Sequence, residues 1–329
     1  MTNTNDQELF QSRTDLAALH DAVDRIKAAI GRVIIGQTDV VEQLVAALLA
    51  NGHVLIEGVP GVAKTLMAKL IARTMEIPFS RIQFTPDLMP SDVVGTSVFH
   101  PGETRFEFRP GPIFSGIVLI DEINRAPAKT QSALFEVMEE RQVTVDGTTR
   151  AMQHPFMVLA TQNPVEHEGT YRLPEAQLDR FLFKVEVPYP TLEEEVGILH
   201  AHHLSNRGDL LADVGPVLTA GEVVALQEII RGLHVEDRLI RFIAGIVTAT
   251  RDDRSIALGA SPRASIALLN ASKAIAGMRG RDFVTPEDIL FVALPVLRHR
   301  ITLTPEREME GVTTDEVIRQ LLSSREIPR

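Results

Sequence analysis

A chain of 329 residues, 44% hydrophobic and 23% charged, is long enough for two domains and too apolar to be disordered. Its net charge of −11 is spread along the sequence with no basic stripe, which argues against nucleic-acid binding by a whole face, although a basic pore in an oligomer would escape that test. There is no cysteine, which excludes disulfides, thiolate metal sites and thiol nucleophiles. No apolar run approaches the roughly 20 residues that span a bilayer, and the polar, acidic start Met-Thr-Asn-Thr-Asn-Asp-Gln-Glu is unlike a signal peptide, so a cytoplasmic protein is expected.

Residues 1–13 read as a flexible polar tail. Leu16, Leu19, Val23, Ile26 and Ile30 then recur at helical spacing until Gly31, and a second helix spans roughly Asp39 to Ala50. The apolar strip Arg32-Val-Ile-Ile-Gly36-Gln37 between them could line an adenine pocket or simply pack as a loop. Next comes Val54-Leu55-Ile56, then Gly58-Val-Pro-Gly-Val-Ala-Lys64-Thr65, then helix formers from Leu66 to Met75, a strand–loop–helix order that a phosphate-binding loop requires. Gly58 and Gly61 let the backbone curl its N–H groups toward phosphate oxygens, and the helix adds its positive N-terminal end. Lys64 would reach the β- and γ-phosphates and Thr65 would bind Mg²⁺. The candidate nucleotide contacts are therefore Gly58, Val59, Pro60, Gly61, Val62, Ala63, Lys64, Thr65 and Leu66. Ala63 stands where a glycine is usual; an alanine there is harmless only at negative φ, so it is expected to open the helix in right-handed geometry.

From Phe79 to Pro112 the pattern is irregular: a strand at Ile82–Thr85, then a hairpin within Thr96–Arg109 turning near Gly102. Ile117-Val-Leu-Ile-Asp121-Glu122 reads as a buried parallel strand with two carboxylates at its C-terminal end, where α/β ligand sites lie. Asp121 can hold Mg²⁺ through its water shell and Glu122 can polarise an attacking water. Asp146-Gly147 turns a second hairpin over 142–150. The strand Phe156 to Thr161 ends in Gln162-Asn163-Pro164, putting Asn163 where it can hydrogen-bond both water and γ-phosphate.

In Leu178-Asp179-Arg180-Phe181, an arginine at a helix end on the surface opposite the phosphate loop could not reach its own nucleotide but could reach a neighbour's. Arg172 is a weaker candidate for the same task. After the strand Phe181 to Val187 the composition changes at Pro188-Tyr-Pro190, Thr191 and Glu194 form a capping box, and helices follow at Glu222–Leu233, Arg238–Arg251, Pro262–Gly277 and Pro286–His299. The expected domains are thus 14–189, α/β with insertions at about 86–109 and 142–150, and 190–329, helical. Arg263 opens a helix after Ser261-Pro262 and opposes its dipole; either a bound triphosphate under a folded-back lid or a surface carboxylate would offset it. His200-Ala-His202-His203 lacks the acidic or cysteine ligands of a metal site and reads as a wet helix face.

The stretches Leu-Ile-Glu-Gly58-Val-Pro-Gly-Val-Ala-Lys64-Thr65, Phe84-Thr-Pro-Asp-Leu-Met-Pro-Ser-Asp92, Leu119-Ile-Asp-Glu-Ile-Asn-Arg125-Ala-Pro, Ala160-Thr-Gln-Asn163-Pro and Leu173-Pro-Glu-Ala-Gln-Leu-Asp-Arg180-Phe together resemble the MoxR-type AAA+ ATPases over nearly the whole chain. The resemblance implies an α/β P-loop NTPase fold, with a five-stranded parallel sheet flanked by helices, an all-helical C-terminal lid and a ring, usually hexameric. It gives Lys64 and Thr65 the Walker A role, Asp121 and Glu122 Walker B, Asn163 sensor 1, Arg180 the arginine finger and Arg263 sensor 2. In such proteins Ala63 is usual, whereas Arg172 stands where proline is more common. The implied activity is ATP hydrolysis with Mg²⁺ to assemble or activate a protein client, often one bearing a von Willebrand factor A domain, which here would be another chain. The alternatives are the motor of a magnesium-chelatase-like complex and an ATP-dependent switch with little turnover.

Overall fold

A computed structural model describes residues 16–59, 61–163, 171, 173–204 and 214–328. The tail at 1–13, Pro60, Pro164 and Arg172 lie outside these.

Five strands form the central sheet: β1 Val54–Gly58, β2 Phe79–Gln83, β3 Ile117–Asp121, β4 Met157–Gln162 and β5 Phe183–Val187. Their spatial order is β2-β3-β4-β1-β5 and every pairing is parallel. Parallel strands need crossovers, and helices supply them, so both faces are covered and the inner strands read as unbroken apolar runs. Alternation sends Ile117 and Leu119 to one face and Val118 and Ile120 to the other, and all four are fully buried. Each contributes about 1.5–3 kcal/mol of burial.

The second strand lies three residues earlier at its start than the expected Ile82–Thr85. It is an edge strand in which only Ile82 is buried, so it carries no apolar run to mark it, and Thr85 turns away by donating to the Asp87 carboxylate at 2.6 Å. Two antiparallel hairpins project from the sheet, Gly95–His100 with Arg105–Pro110 and Gln142–Val145 with Thr148–Ala151. They touch one another where Arg150 stacks over Phe108, 3.9 Å from the ring centroid.

The second half is helical, with a short β-pairing of Ile256–Leu258 and Thr302–Leu303. Its helix Pro262–Met278 packs on Ala17–Gly31 and Thr38–Leu49, and Pro286–Leu297 packs on β5. The Gln227 amide donates to the Leu48 carbonyl at 2.7 Å, and one apolar cluster runs from Leu16 through β1, β4 and β5 to Leu321. Among the described residues no helix is long and apolar enough to cross a membrane.

Candidate active site

The register aligns the carboxyl ends of β1, β3 and β4: Glu57 lies opposite Gln162, and Ile120 opposite Ala160. Phosphate loop, acid pair and Asn163 therefore emerge at the same edge of the sheet. The loop leaves β1 at Gly58, where a Cβ would come within 2.9 Å of the Val187 carbonyl of β5, so no larger residue fits. Gly61 has φ +90°.

Ala63 departs from the expectation. Its φ of 58° and ψ of 22° are left-handed, and the helix starts one residue later, at Lys64. Turning successive N–H groups into a concavity alternates right- and left-handed residues, and this geometry outweighs the alanine's steric cost of about 1–2 kcal/mol. Lys64 arches over the loop, its Nζ donating to the Gly58 carbonyl at 2.6 Å. Two cavities flank it. One, of about 860 Å³, is bordered by Gly36, Gly58, Val59, Tyr189, Arg298 and Arg319; the other, of about 460 Å³, is lined by Val33, Ile34, Ile35, Val62, Ala63 and Leu66. Arg32 to Ile35 and Gln37 thus border the smaller cavity beside the loop, with Val33, Ile34 and Ile35 as part of its apolar lining.

At the end of β3, Asp121 is buried and Thr161 of β4 bridges both acids: its hydroxyl donates to Asp121 Oδ1 at 3.2 Å and accepts from the Glu122 N–H at 3.0 Å. Glu122 sits in left-handed geometry, φ 57°, an uncommon conformation that aims its carboxylate toward β2. There it accepts from Gln83 Nε2 at 2.7 Å and pairs with Arg125 at 3.2 Å. Arg81 Nε approaches Asp121 Oδ2 to 2.5 Å. Arg81, Gln83 and Thr161 escape a sequence reading: the first two lie on the edge strand and the third ends an apolar run. Asn163 is buried just past β4.

These donors suit a hard cation. Asp121 and Thr65 offer oxygens only, and the carboxylate already accommodates a positive group in Arg81. Among the described residues no three His, Asp or Glu converge, so Mg²⁺ here would complete its shell with phosphate oxygens and water.

The opposite edge holds the arginines. Val54 pairs with Phe183 at the start of β1 and β5, so Arg180, after the short helix Glu175–Leu178, lies about 16 Å of strand away from the phosphate loop. It pairs with Glu139 at 3.2 Å. Arg263, for which the sequence leaves open a bound triphosphate or a surface carboxylate, is here too: its Nη2 donates to the other oxygen of Glu139 at 2.7 Å. The helix it opens packs on the first two helices instead of folding over the loop, which delivers its N-terminus to this edge, and a surface carboxylate offsets the dipole. Beneath them Arg300 is buried and its pKa is pushed down to about 10, mainly by burial and against the pull of Asp179; it stays charged at neutral pH.

Residues 53–183 match the family described as ATPase family associated with various cellular activities (AAA), and 248–321 match the AAA lid domain. The chain is 46% identical to the uncharacterized protein YeaC of Bacillus subtilis, over 94% of this chain and 96% of that one. It is 45% identical to Chaperone MoxR1 of Mycobacterium tuberculosis, over 95% of this chain and 84% of the relative. A crystal structure from Cytophaga hutchinsonii, assigned as an ATPase, superposes with a TM-score of 0.88 at 40% identity, covering 95% of this chain and 97% of the other.

Proposed function

The chain belongs to the MoxR-type AAA+ ATPases, and from that premise we propose that it hydrolyses ATP with Mg²⁺ in the cytoplasm and uses the cycle to remodel or activate a protein partner. The observation that carries this reading is the convergence of Lys64, Asp121, Glu122 and Asn163 on one edge of one parallel sheet. The loop N–H groups and Lys64 bind and orient the triphosphate, with the adenine against Val33 to Ile35. Thr65 and Asp121 would hold Mg²⁺, which would supply positive charge to offset that of the triphosphate. Glu122 takes a proton from the attacking water, and Asn163 aligns that water with the γ-phosphorus.

Arg180 serves the nucleotide of an adjoining copy in a ring, the hexamer usual in this family, rather than its own. Arg263, on the same carboxylate, faces the same way. At the hairpin Gly95–Pro110 the exposed pair Phe99 and Phe106, with ring centroids 5.1 Å apart, offers an apolar grip for a client.

Steady-state ATPase assays on the wild type and on Glu122→Gln test the chemistry. The variant should retain ATP while its turnover falls on the order of 100-fold or more; equal turnover would remove Glu122 from the role of base. Incubating the trapped variant with candidate partners in ATP should then retain the client.

A further inference from the structure

The geometry points to a link between the chain's own nucleotide cavity and the arginine it presents to the next subunit, with Arg300 and Asp179 as positioning residues for Arg180. This rests on the reading of Arg180 as acting in trans. Asp179 directly precedes Arg180 and is held from two sides of the helical half: Arg300 Nε donates to Oδ1 at 2.8 Å, and the Ser261 hydroxyl donates to Oδ2 at 2.8 Å. The same guanidinium donates to the carbonyls of Asp179 at 3.0 Å, Phe181 at 2.6 Å and Leu182 at 3.1 Å. It therefore brackets the backbone on both sides of Arg180. His299 Nε2 adds a bond to the Phe181 carbonyl at 3.0 Å, and the buried Phe181 ring meets Phe135 edge-on.

Burying a charge here is costly, and an apolar side chain would fill the space more cheaply. Only a planar fork of donors reaches a carboxylate and several carbonyls at once, which a lysine cannot do. Two residues earlier in the same segment, Arg298 pairs with Asp315 through two bonds of 3.0 and 2.7 Å, and both residues border the cavity beside the phosphate loop. The two side chains thus reach different parts of β5: Arg298 donates to the Lys184 carbonyl at 3.4 Å and lies 3.6 Å from Glu186, toward the nucleotide cavity, while Arg300 holds the Leu182 carbonyl and the Arg180 anchor before the strand begins. Arg298 and Asp315 therefore join the border of the nucleotide cavity to the frame on which Arg180 is mounted.

Arg300→Lys keeps the charge and loses the fork; Asp179→Asn keeps the shape and loses the charge. Each is expected to lower steady-state turnover on the order of 10- to 100-fold, with affinity for a fluorescent ATP analogue as in the wild type. Ser261→Ala, which removes one bond, should lower it less. Mixing separates a displaced arginine from a damaged site. Subunits of Glu122→Gln carry an intact Arg180 but no base, so adding them should restore turnover at the variant's own sites, whereas adding Arg180→Ala subunits should not. Wild-type turnover of both variants, lost ATP affinity, or no restoration by Glu122→Gln would overturn the positioning role. If Arg180→Ala itself hydrolyses ATP at the wild-type rate, the trans reading falls and the link with it; if Arg180→Ala is impaired while Arg300→Lys and Asp179→Asn are not, only the link falls.

Discussion

The two edges of the central sheet are built by opposite means. At the carboxyl edge the functional groups stand on strained or open backbone: Ala63 and Glu122 are left-handed, Gly61 turns at φ +90°, and cavities lie on both sides of the loop. At the amino edge the functional arginine stands on backbone tied down by buried cations and rings, with Arg300 beneath Asp179 to Leu182, and His53 between the Met138 carbonyl and the Val158 N–H. A site that must admit and release a nucleotide needs room and stored strain, whereas a group that completes someone else's site needs a rigid mount. Half of the machinery faces each way, and in this reading neither edge is sufficient alone.

The sharpest way to break that contrast is Arg180→Ala. It is expected to cut steady-state turnover on the order of a thousandfold or more while leaving ATP affinity untouched; a loss of affinity would mean that the residue serves its own site. Acid probes the rigidity of the amino edge. Burial, helped by Arg141, drops the pKa of His53 from 6.5 to about 3, and burial also holds His299 well below its ordinary value. Because the unfolded chain binds the proton on His53 and the folded chain does not, the stability this group contributes is full above pH 6.5 and falls as pH drops toward 3, by on the order of 1.4 kcal/mol per unit, and His299 adds a loss of the same sign. Urea midpoints at pH 7 and pH 4.5 read this, and His53→Gln should make the slope shallower. The smallest effect belongs to the carboxyl edge: Ala63→Gly relieves the left-handed alanine but frees the unfolded chain, so thermal unfolding should show a gain of no more than about 1 kcal/mol. A marked loss would show that Ala63 packs a contact the loop depends on.

The carboxyl edge was largely legible in the chain because its parts are local. Gly58 to Thr65 and Ile117 to Glu122 each carry strand, turn and chemistry within a few residues, and β3 and β4 are apolar on both faces. The amino edge was not. Glu139, Asp179, Arg263 and Arg300 are distant in sequence, and nothing local in Arg298-His-Arg300 distinguishes it from the polar end of an ordinary helix. For Arg180 the sequence offers only a conditional placement opposite the phosphate loop, and it is the pairing of Val54 with Phe183 that puts the residue there. For Arg263 the sequence calls for an anion in the first turn without saying which, and tertiary packing brings it to Glu139. Ala63 departs from its expected geometry for a related reason: the steric preference of one residue yields to the curvature of the loop around it.

The apolar cluster that joins Leu16 to Leu321 bears on how such a protein can do work. A cover mounted on a linker can swing freely, but a block of helices sharing its interior with the sheet has no slack of that kind, since interiors this dense shear in small steps or not at all. The compliance of an assembly of these chains would then reside in the seams between protomers, with each chain behaving as a stiff link.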